Sequence, residues 1–224
     1  VNHIKNVLRM KAGERVVAND KDSTDYYCVI EDIDSEQVML KIESFRKCSA
    51  ELKTKLYLFQ ALPKQDKMEF IVQKAVELGA HEIIPVASSR CVVKLDDKKR
   101  QEKKLARWQM IAESAAKQSA RGIIPKVGGI MSFKEAIDYA ANLSYSIIPY
   151  EHAKGMEESR QYINEAAECD SVGIFIGPEG GFEEEEIEYA VKSGIKPISL
   201  GNRILRTETA GLCVLSILMF ELSE

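Results

Sequence analysis

The sequence predicts an α/β protein in which a small β-rich module precedes a parallel sheet covered by helices. From residue 56 onward, short apolar runs alternate with segments of helical spacing, which is the pattern of parallel strands joined by helices. The runs 56–62 and 172–176 are apolar without alternation, as expected of strands covered on both faces. We therefore divide the chain into a β-rich domain over residues 1–53 and an α/β domain over residues 54–224.

The first domain contains three runs rich in β-branched and aromatic residues, separated by polar turns. A helical turn is predicted over residues 3–9, and the predicted strands are 14–19, 26–33 and 37–42. Three strands are few for a closed barrel, so one open alternative is that a piece of this domain precedes Val1. The charged and polar stretch 46–55 is interpreted as a linker.

The elements of the second domain follow from periodicity and from residues typical of helix ends. The predicted strands are 56–62, 81–86, 144–150, 172–176 and 197–200, with a short extended segment at 123–127. The predicted helices are 66–79, 97–118, 132–141, 157–167, 183–192 and 207–222. Asp66, with Glu69 three residues later, predicts a capping box, and Ser132 predicts another helix cap.

Composition excludes several classes of protein. Five cysteines are scattered without a C-x-x-C pair, which favours reduced thiols in a cytoplasmic protein over disulfides or zinc. The three histidines are far apart, so no metal site is expected. The apolar stretch 210–220 is too short to span a membrane, and no secretory leader is recognised. We expect a cytoplasmic protein with neither metal nor membrane partner.

The charge is distributed unevenly along the chain. The net charge is −4, but residues 88–126 contain 11 lysines and arginines against four acidic residues. Residues 151–192 contain three basic residues against 12 acidic ones. A basic stripe indicates contact with phosphates, although a solvated helix face with the same charges is the commoner case.

A glycine-rich segment, 177–182 (GPEGGF), lies between a predicted strand and a predicted helix. Glycines allow a ligand to approach the backbone closely. The segment lacks the G-x-G-x-x-G and G-K-[ST] patterns of phosphate loops, and four glutamates at 183–186 would repel a phosphate. We therefore expect a neutral or cationic ligand, with a tight turn that binds nothing as the alternative.

Unusual turns follow three predicted strands, at residues 148–151, 177–180 and 200–202. Ligands of open parallel sheets bind at the carboxyl ends of the strands. The three turns together therefore predict one pocket walled by backbone groups.

The segment 203–211 places Arg206, Thr207, Glu208 and Thr209 directly before an apolar helix. Thr207 as a helix cap and Glu208 in the first turn would satisfy helix physics alone. That interpretation does not account for Arg206, whose charge opposes the helix dipole. We expect Arg206 to hold an anionic or electron-rich group. The apolar helix itself must be covered all round, either in the core or in a dimer interface.

These motifs resemble a known family. The segments 177–182, 200–210 (LGNRILRTETA), 67–70 (KMEF) with 77–79 (ELG), and 3–9 (HIKNVLR) are similar to those of the RsmE family. Its members are ribosomal RNA small-subunit methyltransferases E of the SPOUT superfamily. The resemblance covers essentially the whole chain.

The resemblance implies a PUA-like β-barrel followed by a SPOUT α/β domain with a C-terminal trefoil knot. It implies a homodimer formed through the C-terminal domain, with S-adenosyl-methionine as cofactor. The implied reaction is methylation of N3 of a uridine, uridine 1498, in the 16S rRNA of the small ribosomal subunit. Removal of the N3 proton requires a base or a stabilised uridine anion.

The resemblance also assigns residues. The residues nearest the chemistry would be Arg206 and Glu208. The cofactor site would be lined by Pro149, Gly177, Glu179, Gly180, Leu200, Gly201, Asn202, Ile204, Leu205, Thr207 and Ala210. The RNA-facing residues would be His3, Arg9, Arg90, Lys94, Gln118 and Arg121. The chain departs from the family pattern at Ser89 and Lys117, where relatives often have glutamate, and both changes make this region more basic.

Two other functions predict different features. A catalytically silent RNA-binding protein would have a degenerate glycine segment, and this one is intact. A nicotinamide-dependent oxidoreductase would have a glycine fingerprint after its first strand, where this chain has residues 63–66 without glycine.

Overall fold

The structure is a computed structural model that describes residues 1–92, 97–153 and 155–223. The chain forms two compact units. One consists of Val1–Glu51 and Ala120–Ile124, and the other of Leu52–Ser119 and Pro125–Glu224.

The smaller unit is built on an antiparallel sheet that follows a single π-helical turn, His3–Val7. Its strands are β1 (Arg15–Asn19), β2 (Thr24–Ile33) and β3 (Val38–Lys47). The central strand β2 pairs with both neighbours. The predicted strand 37–42 was too short, because β2 already begins at Thr24 and pairs β3 as far as Lys47. The first residues of the predicted linker 46–55 are therefore strand.

A buried ion pair holds the second segment of this unit. The Glu51 carboxylate accepts two hydrogen bonds from the Arg121 guanidinium, at 2.8 and 2.7 Å. It also accepts from the backbone N–H groups of Gly122 and Ile123, at 2.8 and 3.2 Å. The predicted extended segment 123–127 is therefore divided, and only its last two residues form a strand.

The larger unit is a parallel sheet covered by helices, as the alternation of strands and helices predicted. Its strands are β4 (Lys55–Ala61), β5 (Ala80–Ala87), β6 (Lys126–Val127), β7 (Met131–Ser132), β8 (Tyr145–Pro149), β9 (Ser171–Ile176) and β10 (Lys196–Ile198). Its helices are α1 (Lys67–Glu77), α2 (Lys98–Gln118), α3 (Phe133–Ala140), α4 (Met156–Ala167), α5 (Glu184–Lys192) and α6 (Thr207–Leu222). The strand order is β10-β8-β9-β4-β5-β6, and β7 pairs with β5. Every pair in this sheet is parallel.

The core lies at the centre of this sheet, where β4 and β9 are neighbours. Phe59 pairs in register with Phe175, and their rings stack at a centroid distance of 4.4 Å. Both side chains are fully buried. The Phe133 ring centroid lies 6.2 Å from that of Phe175 and 5.1 Å from that of Phe182. The aromatic core therefore extends to Phe182, the last residue of the glycine segment.

The helix ends differ in part from their prediction. Ser132 forms the predicted cap, here as a capping box with Glu135. The capping box predicted at Asp66 was wrong, because Asp66 has φ −93° and ψ 17° and its side chain makes no cap hydrogen bond. Glu69 pairs instead with Arg107 at 3.1 Å. A capping box that was not predicted joins Glu183 and Glu186 at the start of α5.

Within a single chain, the described residues cover only part of the apolar helix α6. It buries Gly211, Val214, Leu215 and Leu218, whereas Phe220 is 77% exposed. No helix within the described ranges is long and apolar enough to cross a membrane. In the same residues all five cysteines are free, and no group of three potential metal ligands occurs.

Replacing Phe59 by alanine should destabilise the larger unit by about 3–5 kcal/mol, because the substitution leaves a cavity beside the stacked Phe175 ring. Urea denaturation measures the loss. The matched control is Phe70→Ala on α1, where the side chain is exposed and the cost should stay below about 1 kcal/mol. Equal losses for the two variants would contradict this placement of the core.

Candidate functional site

The candidate site lies at the carboxyl edge of the parallel sheet. Strand β8 lies between β10 and β9, so the turns that follow these three strands are neighbours. Pro149 ends β8, Gly177 follows β9, and Leu200 and Gly201 follow β10. The Tyr150 N–H donates to the Ile198 carbonyl at 2.9 Å, which joins the turns after β8 and β10. The structure thus brings together the three turns that the sequence singled out.

The glycine segment is a tight turn that only small residues permit. Gly181 has φ +69°, a left-handed conformation that favours glycine. A Cβ on Gly177 would lie 3.2 Å from the Phe182 ring and 3.3 Å from the Gly181 backbone. Gly180 is exposed at the tip of the turn, next to the side chain of Arg90. The backbone at the mouth of the site is therefore accessible to a ligand.

Residues that follow β5 support this turn. Arg90 donates to the Gly180 carbonyl at 2.7 Å and pairs with Glu183 at 2.7 Å. The hydrogen bond from Arg90 lowers the pKa of Glu183. The backbone N–H and hydroxyl of Ser89 both donate to Glu186, at 2.9 and 3.0 Å. Arg90 was expected to face RNA, and the structure places its guanidinium on the glycine segment.

Three charged side chains meet at one border of the site. Lys67, at the start of α1, lies 3.0 Å from Glu179 and 3.2 Å from Glu208. The Lys64 N–H also donates to Glu179, at 3.1 Å. Burial would raise the pKa of Glu179, but its backbone donors and Lys67 outweigh burial and lower it. Glu179 and Glu208 belong to the predicted site, and their shared partner Lys67 was not predicted to take part.

Thr207 lies in the floor of the site and is buried. Its hydroxyl donates to the Gly177 carbonyl at 2.6 Å and accepts a hydrogen bond from the Gln60 amide at 2.9 Å. Helix α6 has Arg206 at its N-cap position, so Thr207 is not the cap. Sequence reasoning missed Gln60, although a lone polar residue in the apolar run 56–62 was a usable signal.

The turn after β10 presents backbone groups. Gly201 has φ +96°, and its N–H donates to Ser199 at 3.2 Å. In the part of the chain that the structure describes, the backbone N–H groups of Leu200, Ile204 and Leu205 donate to no acceptor. Such donors suit a ligand with hydrogen-bond acceptors, such as a heterocyclic base.

The remaining side chains around α6 differ in exposure. Asn202, Ile204 and Arg206 are exposed, and Leu205 and Ala210 are half-buried. Among the described residues, the Arg206 guanidinium forms no hydrogen bond or ion pair. It is a cation available to a ligand at the edge of the site.

The residues expected to face RNA are distributed over both units. His3 lies in the first helical turn, and Arg9 is exposed with φ +54°. Gln118 is the exposed last residue of α2. Arg121 is only 3% exposed in its pair with Glu51, so its guanidinium is not presented to a ligand. Lys94 lies outside the described residues.

Together, the parallel sheet and the carboxylates and backbone groups at its carboxyl edge define an α/β protein with a candidate ligand site at that edge. Family models make the class specific. Residues 50–219 match a model described as an RNA methyltransferase domain, and residues 1–43 match an RNA methyltransferase PUA domain.

Individual relatives cover nearly the whole chain. Ribosomal RNA small subunit methyltransferase E of Bacillus subtilis (strain 168) is 36% identical over 99% of this chain and 87% of the relative. The protein of that name from Mesomycoplasma hyopneumoniae (strain 232) is 36% identical over 96% of this chain and 89% of its own. The crystal structure of the Neisseria gonorrhoeae protein of that name, bound to S-adenosyl methionine, has a TM-score of 0.81 and 32% identity. It covers 96% of this chain and 86% of that one. The chain belongs to the ribosomal RNA small subunit methyltransferase E family, which is the RsmE family.

Replacing Thr207 by valine should cost about 1–3 kcal/mol, because the Gly177 carbonyl loses its donor and the Gln60 amide keeps only its bond to the Ala61 carbonyl. Chemical denaturation measures the change. Thr209→Val is the matched control, since Thr209 is exposed two residues further along the same helix and its cost should stay within about 0.5 kcal/mol. A Thr207→Val protein as stable as the control would contradict the contribution of the Gln60–Thr207–Gly177 hydrogen bonds to stability.

Proposed function

We propose that this protein methylates N3 of uridine 1498 in the 16S rRNA of the small ribosomal subunit, with S-adenosyl-methionine as methyl donor. It is an S-adenosyl-methionine-dependent methyltransferase of the RsmE family. The observation that carries the proposal is the 2.6 Å hydrogen bond from Thr207 to the Gly177 carbonyl. This bond places the segment with Arg206 and Glu208 beside the glycine turn.

The residues present fit the proposed cofactor. S-adenosyl-methionine carries a sulfonium cation and no phosphate, so carboxylates at the border of the site, such as Glu179 and Glu208, favour it electrostatically. The glycines at 177, 180 and 201 leave the backbone open to an adenosine group. The free N–H groups of the turn after β10 supply donors for its ring nitrogens. The bound cofactor supplies an activated methyl group for transfer to a nucleophile.

The chemistry at uridine N3 requires that its proton leaves and that negative charge spreads to O2 and O4. Arg206 is exposed, unpaired in the described chain and next to the hydrogen-bonded Thr207. A guanidinium held there stabilises the developing oxyanion. Glu208, one residue beyond Thr207, is the candidate base. One of its oxygens is held by Lys67 at 3.2 Å.

The RNA side of the site is assigned to basic surfaces. The first turn of α2 contains no acidic residue, and Lys98, Lys99, Arg100 and Lys103 are exposed along its first two turns. Cations at a helix N-terminus oppose the helix dipole. The Asp97 carboxylate at the N-cap offsets part of this charge, and RNA phosphates would balance the rest. His3, Arg9, Lys94 and Gln118 stay predictions for RNA contact. Arg90 would contribute to the RNA site indirectly, through its hydrogen bond to the Gly180 carbonyl in the glycine turn.

Further parts of the proposal come from the family resemblance. The exposed Phe220 on α6 supports a homodimer formed through the C-terminal domain. The trefoil knot, the domain division at residues 53 and 54, and a location in the cytoplasm likewise remain predictions.

Methyl transfer from radiolabelled S-adenosyl-methionine to small subunits that lack the modification tests the function, with nucleoside analysis of the product. We expect label in 3-methyluridine. Arg206→Ala should lower the rate by at least about 100-fold, because it removes the group that stabilises the anion, while affinity for the cofactor changes little.

Arg203→Ala is the control, because Arg203 is also exposed three residues earlier. It should retain at least about half of the rate, as a change away from the reacting atoms. Label in a base other than uridine, or no incorporation, would rule out the proposed reaction. Loss of cofactor affinity in Arg206→Ala would reassign Arg206 to the cofactor pocket.

A triple replacement by alanine of Lys99, Arg100 and Lys103 tests the RNA surface. The slope of log affinity for the rRNA against log salt concentration should become shallower by about 0.7–0.9 for each phosphate that the variant no longer neutralises. Filter binding over a salt series measures it.

Three exposed cations on other helices, Lys134, Arg160 and Lys192, provide a control triple replacement of equal charge. Its slope should match that of the wild type. Equal slopes for both triple variants would exclude the start of α2 from the RNA interface.

A further inference from the structure

Lys67 joins three segments that are distant in the chain. It is the first residue of α1, and its Nζ lies 3.0 Å from Glu179 Oε1 in the glycine segment and 3.2 Å from Glu208 Oε2 in α6. The three side chains are only 23, 26 and 18% exposed. The ammonium is therefore enclosed between two carboxylates at the border of the site.

We propose that Lys67 is a positioning residue for methyl transfer, which orients Glu179 and Glu208 and offsets their negative charge. This inference rests on the proposed function. Lys67 is the first residue of the 67–70 segment that is similar to the family, but the resemblance assigned it no role in the site.

Charge is the first reason. Loss of the N3 proton makes the pyrimidine ring anionic, and two uncompensated carboxylates beside it would oppose that change. Lys67 cancels one of the two negative charges. The hydrogen bond to Glu179 raises the pKa of Lys67, so the ammonium remains charged at neutral pH.

Geometry is the second reason. The Lys64 N–H fixes the Glu179 carboxylate from the loop that precedes α1, at 3.1 Å from Oε1 and 3.3 Å from Oε2. The Lys67 ammonium also pairs with Glu208. This ion pair restrains the start of α6, where Arg206 lies. A long side chain held at both carboxylates fixes the spacing between the glycine turn and the start of α6.

The test compares steady-state kinetics of full-length variants on rRNA. Lys67→Met should lower kcat by at least about tenfold while KM for S-adenosyl-methionine changes by less than about threefold, because the interaction acts on the transition state. Lys67→Arg should keep kcat within about threefold of the wild type, since a guanidinium can bridge two carboxylates. Melting temperatures of all variants are measured in parallel.

Lys74→Met is the matched control. Lys74 lies on the same helix, is 35% exposed and pairs with Glu77 at 2.8 Å. Its loss should leave kcat within about twofold, because this ion pair is remote from the reacting groups.

A double variant isolates the charge effect. Lys67→Met with Glu179→Gln removes one negative charge together with the positive one. At S-adenosyl-methionine concentrations that saturate each variant, so that the lost cofactor contact of Glu179 does not limit the rate, it should recover kcat by at least about threefold relative to Lys67→Met. A double variant no faster than Lys67→Met overturns charge compensation.

The remaining outcomes separate the two proposals. A wild-type enzyme that methylates uridine together with a Lys67→Met variant of unchanged kcat overturns the role of Lys67 alone. Equal losses of kcat in Lys67→Met and Lys67→Arg, each with a lowered melting temperature, indicate a purely structural ion pair and also overturn it. A wild-type protein that transfers no methyl group overturns the proposed function.

Discussion

The site depends on a short chain of hydrogen bonds from the sheet to the glycine turn. Gln60 lies on β4, between β9 and β5, where strand pairing fixes its position. Its amide donates to Thr207, and Thr207 donates to the Gly177 carbonyl. The Gln60 and Thr207 side chains are buried and Gly177 is half-buried, and buried polar groups without partners are costly. The start of α6 is therefore fixed relative to the end of β9, and the flanking Arg206 and Glu208 take their places from it.

The charged residues around the candidate site differ in whether they have an ion-pair or hydrogen-bond partner. Glu179, Glu183, Glu186 and Glu208 are held by defined partners on other segments. These contacts join the glycine turn and its following helix to the segment after β5 and to the start of α1. Arg206 has no such partner in the described residues. Carboxylates beside an exposed arginine suit a ligand that carries both a cationic group and an electron-rich group.

The sequence predicted the α/β architecture well because its signals are local. Apolar runs and helical spacing report burial along a few residues, so the strands and helices of residues 54–224 were mostly found. The three turns at Pro149, Gly177 and Gly201 were also predicted to meet, because parallel strands end at one edge of a sheet. The end of β3 was misplaced, since its length is set by pairing with β2. The capping box predicted at Asp66 was wrong, because the backbone at Asp66 is not in the extended conformation that N-cap residues typically adopt.

By itself the sequence indicated the glycine turn, the four glutamates at 183–186 and the Arg-Thr-Glu-Thr segment as features of a candidate site, because residue types and their order carry those signals. Only the tertiary structure decided how the parts are held together. Lys67 contacts residues more than 100 positions away, as does Gln60. Arg90 proved to be a support of the turn and Arg121 a buried partner of Glu51. The partner of a charged residue depends on which distant segments of the chain fold beside it, and a local sequence pattern does not contain that information.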